Sequence, residues 1–212
     1  MHEVEILRDR QSGGYSRRGF IKGVIAAGAG AYASGYMFRA PGALSALPSA
    51  QGSVERLITL NVNGQRRPVD VLKQETLAMT LRYKLGLTGT KLGCDRAECG
   101  ACTVLLDGVP HYACSTLTHQ VRGRAITTIE GLESPDGTLH PVQQAVVEEG
   151  GFQCAFCAPG FIMSMVHMTE TNPNPTREEA AQALSGHLCR CGDYNKILNS
   201  AMRAAEFVRR NA

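Results

Sequence analysis

Eight cysteines fall into two sets of four with different spacings. Cys94, Cys99, Cys102 and Cys114 form C-x4-C-x2-C-x11-C. Cys154, Cys157, Cys189 and Cys191 form C-x2-C-x31-C-x1-C. Four thiolates are what one 2Fe–2S cluster takes, because each of its two irons accepts two cysteine sulfurs. Two sets of four use every cysteine, and two clusters in one short chain make a path for single electrons. The x4, x2 opening of the first set is the plant-type ferredoxin spacing, although its closing gap of 11 is much shorter than in that family. Zinc is the competing metal, since paired cysteines also suit a structural zinc. It fits the first set poorly and the second set better. Disulfides compete for both, but the close pair Cys189-x-Cys191 would need two separate partners.

The neighbours of the cysteines suit anionic sulfur. Gly93, Ala97, Gly100 and Ala101 are small and let the first loop wrap tightly, with backbone N–H groups aimed at the thiolates. Cys154 and Cys157 come just before one expected helix, and Cys189 and Cys191 just before another. Helix N-termini offer free N–H groups and a dipole that favours negative charge. An apolar shell of Phe156, Phe161, Leu188 and Ile197 is expected to limit water at the second set.

The elements that must position these sites are legible in outline. Leu57, Ile58, Leu60 and Val62 lead to Asn63-Gly64, a hairpin signal, with Arg67–Val71 as the returning strand. Thr76–Leu85 reads as a helix ended by Gly86. The loop Gly93 to Cys102 follows, then strands at Thr103–Leu106 and Ala125–Ile129. Beyond the turn Pro135-Asp136-Gly137 the pattern becomes helical. Helices are expected at His140–Glu149, at Pro159–Glu170, from the capping box Thr176-x-x-Glu179 through Leu184, and from Gly192 or Asp193 onward. The fold class is therefore α+β. Residues 54–133 are expected to form a plant-type ferredoxin-like domain, and 134–212 an all-α domain of four helices.

Charge excludes one class of function and isolates one segment. The chain has 212 residues and a formal charge of +3. Residues 1–50 hold six Lys/Arg against three acids, whereas residues 51–212 hold sixteen of each. No basic face of the kind nucleic-acid binding needs is expected. The positive segment carries Ser16-Arg17-Arg18-Gly19-Phe20-Ile21-Lys22, which resembles a twin-arginine export motif. A Gly/Ala-rich apolar run, Gly23 to Phe38, follows. Small-residue cleavage sites come next at Ala31-Tyr32-Ala33, Leu44-Ser45-Ala46 and Pro48-Ser49-Ala50. Residues 1–53 are thus expected to be an export signal and linker, and the chain to act in the periplasm. A permanent membrane span is disfavoured by the short, weakly apolar run, though an uncleaved anchor stays open. Twin-arginine export carries proteins already folded, which suits thiolates that hold iron before they meet an oxidising compartment.

Four segments carry a family resemblance: LGLTGTKLGCDRAECGACTVLLDG (85–108), ACS around Cys114, QCAFCAPGFIMS (153–164) and LSGHLCRCGDY (184–194). From about residue 56 to 207 the chain resembles the small iron–sulfur subunit of molybdenum hydroxylases, the xanthine dehydrogenase and aldehyde oxidoreductase family. The resemblance implies a β-grasp 2Fe–2S domain followed by a four-helix 2Fe–2S domain. It implies a large molybdopterin-binding partner, with Gln153 and Cys191 contacting the pterin, and Gly93 and Gly100 shaping the backbone around the first cluster. Some positions depart from the family pattern. Ala97 and Ala155 stand where glycine is usual, Ala158 where threonine is, and His187 where asparagine is.

The expected function is electron transfer, with no catalytic residue in this chain. The partner would oxidise an aldehyde to a carboxylic acid, or alternatively hydroxylate an N-heterocycle of isoquinoline or nicotinate type. Electrons would pass through the second cluster, then the first, to a c-type cytochrome or quinone route, with a flavin subunit as runner-up. Membrane association would come through a partner or an uncleaved signal. A free-standing periplasmic ferredoxin and a zinc-binding interaction module are the readings from other classes.

Overall fold

The structure, a computed structural model, describes residues 17–37 and 56–211. The chain divides into two units, residues 1–53 and 54–212. In the first, helix α1 spans Arg17–Met37. The twin arginines stand at its start, and its side chains from Arg18 to Ala29 are exposed. No described helix is long and apolar enough to cross a membrane. Ser16, the linker from residue 39 and the two later cleavage sites lie outside the described residues.

The second unit opens with a sheet in the order β2-β1-β5-β3-β4. Strands β1 (Leu57–Val62) and β2 (Gln65–Asp70) form an antiparallel hairpin. Its turn is Asn63-Gly64, both with positive φ, as a two-residue hairpin loop requires. Alternation along β1 buries Ile58, Leu60 and Val62 while Leu57, Thr59 and Asn61 face out. Each such buried side chain contributes about 1.5–3 kcal/mol of apolar burial. β5 (Ala125–Thr127) runs parallel to β1 and antiparallel to β3 (Thr103–Leu106). This mixed arrangement, with a helical segment packed on one face, is the β-grasp expected from the sequence.

Two elements differ from expectation. β4 (Val109–Tyr112) pairs with β3, and the sequence concealed it behind Pro110. The turn Asp107-Gly108, with φ of 52° and 81°, closes this hairpin, and proline is tolerated because β4 is an edge strand. The expected helix Thr76–Leu85 is instead α2, one α-helical turn (Leu77–Met79), continued by a π turn over Thr80–Lys84. There Leu85 N–H donates to the Thr80 carbonyl, five residues back, and Leu87 N–H to Leu81. The wider turn leaves Leu77 and Leu81 in the sheet's core.

Four helices follow, with caps that explain their bounds. α3 (Pro141–Glu149) has Pro141 at its first position, a His140 cap and a left-handed Gly150 stop. α4 spans Ala158–Thr171. α5 (Arg177–Ala183) opens on the expected capping box, Thr176 N–H to Glu179 Oε2 at 2.8 Å and Glu179 N–H to Thr176 Oγ1 at 3.2 Å. α6 spans Tyr194–Asn211. Their core gathers around Phe161, Met163, Met165 and Ile197. β3 is buried at all four positions because it serves two cores. Val104 and Leu106 join the sheet's core, and Leu105 joins the helical one. This shared strand fastens the two layers together.

Candidate metal centres

The first thiol set is a loop wrapped around sulfur. Asp95 and Ala97 take left-handed conformations, φ 54° and 60°, which turn successive N–H groups inward. Cys94 Sγ accepts from the N–H groups of Arg96 (3.4 Å), Glu98 (3.3 Å) and Cys99 (3.4 Å). Ala97 N–H donates to Cys114 Sγ at 3.3 Å. Burial alone would push the Cys94 thiol up, but those backbone donors outweigh it and hold it at about 7. Cys102 shows the opposite balance. Burial, aided by the neighbouring Cys114 and Cys99, pushes its thiol up to about 12. The four thiols arrange as facing pairs, Cys94 with Cys99 and Cys102 with Cys114. Gly93 lies tight against the site, since a Cβ there would meet Cys99 Sγ at 3.0 Å.

The second set lies at helix starts, as its sequence context predicts. Cys157 occupies the cap position of α4, and Cys189 and Cys191 lead into α6. Again two pairs face each other, Cys154 with Cys191 and Cys157 with Cys189. Cys157 and Cys189 are buried, whereas Cys154 and Cys191 are exposed. The Phe156 N–H and then the Cys191 thiol lower the Cys154 thiol. Burial, with the Cys189 thiol beside it, pushes Cys157 up to about 12. A buried thiol with so high a pKa ionises only if a metal's charge holds it as thiolate. Ala155, like Ala97, is left-handed, with φ 55°, so both departures from glycine sit where only glycine avoids strain.

The expected apolar shell is only half present. Phe161 and Ile197 are buried, but Phe156 and Leu188 are 48% and 57% exposed. They stand outside the second set beside half-exposed Tyr194, so one face of that set is open. The chemistry of the donors nonetheless fits a dinuclear cluster. All eight cysteines are free of disulfides. Among the described residues, no three His, Cys, Asp or Glu side chains converge as they would on a single ion. Four thiols gathered at each site are the ligand set that one 2Fe–2S cluster takes.

The two sets are neighbours. Leu188 N–H donates to the Cys99 carbonyl at 3.0 Å, joining a residue beside Cys189 to a residue of the first loop. A cleft between them is lined by Cys99, Ala101, Phe156, Cys157, Leu188, Cys189, Arg190 and Tyr194. Gly160 lets α4 touch the first loop, since a Cβ there would lie 2.1 Å from the Gly100 carbonyl oxygen. Gly100 has φ +70°, and a Cβ on it would strike His187 and Gly186. His187, 5% exposed, fills this junction. Its Nε2 lies 3.2 Å from both Thr103 Oγ1 and Ser164 Oγ, and its ring is 4.8 Å from Phe161. Burial lowers its pKa to about 4, only partly offset by the nearby Leu184 and Gly160 carbonyls, so the ring is neutral at pH 7. By distance and angle Nδ1 makes no hydrogen bond, and those carbonyls act on the ring only as nearby dipoles.

Gln153 is exposed beside Cys154, and its amide is not free. Gln153 N–H donates to Asp193 Oδ2 at 3.0 Å, and Gln153 Nε2 donates to Asp193 Oδ1 at 2.6 Å. Sequence reasoning assigned Asp193 only to a helix start. Its link to Gln153 spans 40 residues and has no local signal. Three other histidines hold structure: His140 caps α3, and His111 and His167 contact the carbonyls of Val109 and Gly108.

Two fused domains, a β-grasp loop site and a helical site, define an iron–sulfur protein with two 2Fe–2S-binding domains. Family profiles agree: a 2Fe-2S iron-sulfur cluster binding domain matches residues 60–125, and a 2Fe-2S binding domain matches residues 128–202. Similar proteins include the nicotine 6-hydroxylase small subunit of Paenarthrobacter nicotinovorans, 48% identical over 74% of this chain and 93% of that one. The aldehyde oxidoreductase iron-sulfur-binding subunit PaoA of Escherichia coli is 42% identical over 76% and 77%. Among solved structures, quinoline 2-oxidoreductase from Pseudomonas putida 86 aligns with a TM-score of 0.69 and 38% identity, over 74% of this chain and 98% of that one. The chain belongs to the family of small iron–sulfur subunits of molybdenum hydroxylases, whose part in the enzyme is electron transfer. It also matches the aldehyde oxidoreductase of Megalodesulfovibrio gigas, at 42% identity over 73% of this chain and 17% of that one.

Proposed function

We propose that this chain relays single electrons between a molybdenum–pterin centre in a separate large partner and a downstream acceptor. Cys154, Cys157, Cys189 and Cys191 would hold the 2Fe–2S cluster nearer the source. Cys94, Cys99, Cys102 and Cys114 would hold the cluster nearer the sink. When bound, each cluster supplies one reversible one-electron station. Oxidation of an aldehyde with oxygen taken from water gives the acid, two protons and two electrons, and two such stations suit that pair. The observation that carries the direction is the open face at Cys154 and Cys191. Exposed Gln153, Phe156 and Leu188 flank it, as a surface to be covered by a partner would be. The first site, with Cys102 and Cys114 buried and Cys94 and Cys99 partly so, is the less open of the two, and the Leu188–Cys99 hydrogen bond gives a short covalent and hydrogen-bonded route between them.

The partner would be a molybdopterin-binding chain, because the aldehyde oxidoreductase relative is about six times longer than the matched segment. Gln153 and Cys191 would meet the pterin. The substrate is an aldehyde in the first reading. The 48% identity to a nicotine 6-hydroxylase small subunit supports an N-heterocycle as the second. The twin arginines and the Gly/Ala-rich run support export to the periplasm, where a c-type cytochrome or a quinone route would accept the electrons and a flavin subunit is the alternative. Membrane association would come through such a partner or through an uncleaved signal. Affinity purification of the full chain from native periplasm and membranes tests the reading. A molybdopterin chain is expected to co-purify, and the complex is expected to bleach its visible absorbance on adding an aldehyde or an N-heterocycle. A soluble chain that purifies alone and bleaches with neither substrate points instead to a free-standing ferredoxin.

A further inference from the structure

The Gln153–Asp193 pair carries an inference that rests on Gln153 facing the partner's cofactor. Asp193 is 8% exposed and stands one residue before α6, and its carbonyl accepts the first helical bond, from Ile197 N–H at 2.9 Å. An aspartate in this position ordinarily caps its own helix by accepting from the second or third helical N–H. Here both carboxylate oxygens are turned to Gln153 instead, one to the backbone N–H and one to the side-chain Nε2. A carboxylate accepts and, when ionised, cannot donate. It therefore fixes which end of the Gln153 amide faces inward. The nitrogen is held against Asp193, and the carbonyl oxygen Oε1 is left as the polar atom the side chain can offer elsewhere.

We infer that Asp193 is the positioning residue that presents Gln153 to the partner as a hydrogen-bond acceptor. The group it meets must then be a donor, such as an N–H of a heterocycle. Without Asp193 the amide is free to turn over and offer donors instead. Charge adds a second consequence. The Asp193 carboxylate stands two residues after Cys191 and is hydrogen-bonded to Gln153, the residue before Cys154. A fixed negative charge beside the second site disfavours adding an electron there.

The test is a mutant cycle in the assembled, metal-loaded complex: Asp193→Asn, Gln153→Ala and the double variant, with Asp193→Ser as a second, cap-competent replacement. Iron content and the reduced-state EPR intensity of both clusters check that each variant is filled. Two quantities are read: the rate at which substrate reduces this chain, and the reduction potential of the second cluster. Loss of an outer partner typically costs ten- to a hundredfold, so Asp193→Asn is expected to slow reduction roughly tenfold. It should add nothing in the Gln153→Ala background, because it acts through that side chain. The potential of the second cluster is expected to rise in Asp193→Asn and to stay near wild type in Gln153→Ala. If Gln153→Ala slows reduction and neither Asp193 variant does, the clamp is overturned and the placement of Gln153 stands. If the two losses multiply, Asp193 acts by another route and the inference also fails. If Gln153→Ala changes nothing, the placement of Gln153 against the cofactor is itself wrong, and the clamp's role falls with it.

Discussion

Single residues decide how much strain and how much charge each metal centre carries. Ala97 and Ala155 hold left-handed backbones that cost an L-residue about 1–2 kcal/mol, while glycine gives back part of that in unfolded-state entropy. Ala97→Gly and Ala155→Gly are therefore expected to stabilise the loaded chain by up to about 1 kcal/mol each, seen as a higher temperature for loss of visible absorbance. No gain would mean that the loops relax around the methyl groups. The thiols predict a selective loss. Cys102→Ser should abolish the first cluster's EPR signal and leave the second, and Cys157→Ser the reverse. The two cysteine sets stand out from spacing alone, whereas Gln153 enters only through the family resemblance. Asp193 was not legible, because its role depends on a residue 40 positions away that only the folded α6 brings near. The strain at Ala97 and Ala155 was visible only as a departure from glycine, and the backbone supplies its physical meaning.

Elements position these residues by close backbone approach and by caps. Gly160 sits inside α4, where alanine would gain about 1 kcal/mol in helix propensity. Its Cβ would instead fall 2.1 Å from the Gly100 carbonyl oxygen, and overpacking of that kind costs about 1–3 kcal/mol or more. Gly160→Ala is expected to destabilise, with the first cluster lost at lower temperature. A more stable variant would contradict the packing. α3 predicts a pH effect. His140 Nδ1 accepts from Val142 N–H, which requires an unprotonated ring, and burial holds its pKa below the usual 6.5. The unfolded chain then takes up a proton before the folded one, so stability falls as pH drops below about 6.5. His140→Asn keeps a capping oxygen and should flatten that part of the stability–pH profile. The long helices and the first hairpin were plain in the sequence, since periodicity and turn signals are local. β4 hid behind Pro110, and the π turn at Thr80–Lys84 hid inside a helical pattern. Edge position and core packing, both tertiary, decided those two.

At the scale of the whole molecule, two cores share strand β3, and two thiol sets share a cleft and a hydrogen bond between Leu188 and Cys99. Each site buries two of its cysteines; the other two are partly buried in the first set and exposed in the second, which opens on an exposed apolar rim of Phe156 and Leu188. That asymmetry is what supports the proposed direction, from the more open face toward the wrapped loop. The order β-grasp then helices was readable from the two cysteine patterns. The opening at Cys154 and Cys191 was not, because the sequence shows apolar residues near the site without saying which way they face. The central claim is that this chain holds two distinct 2Fe–2S clusters that a partner's substrate can fill with electrons. EPR of the purified complex after reduction by substrate tests it most directly, with iron and sulfide measured on the same sample. Two separate signals are expected, each approaching one spin per chain, with four irons and four sulfides, as two 2Fe–2S clusters require. A single signal, or a colourless zinc-containing chain with no signal, would contradict the account.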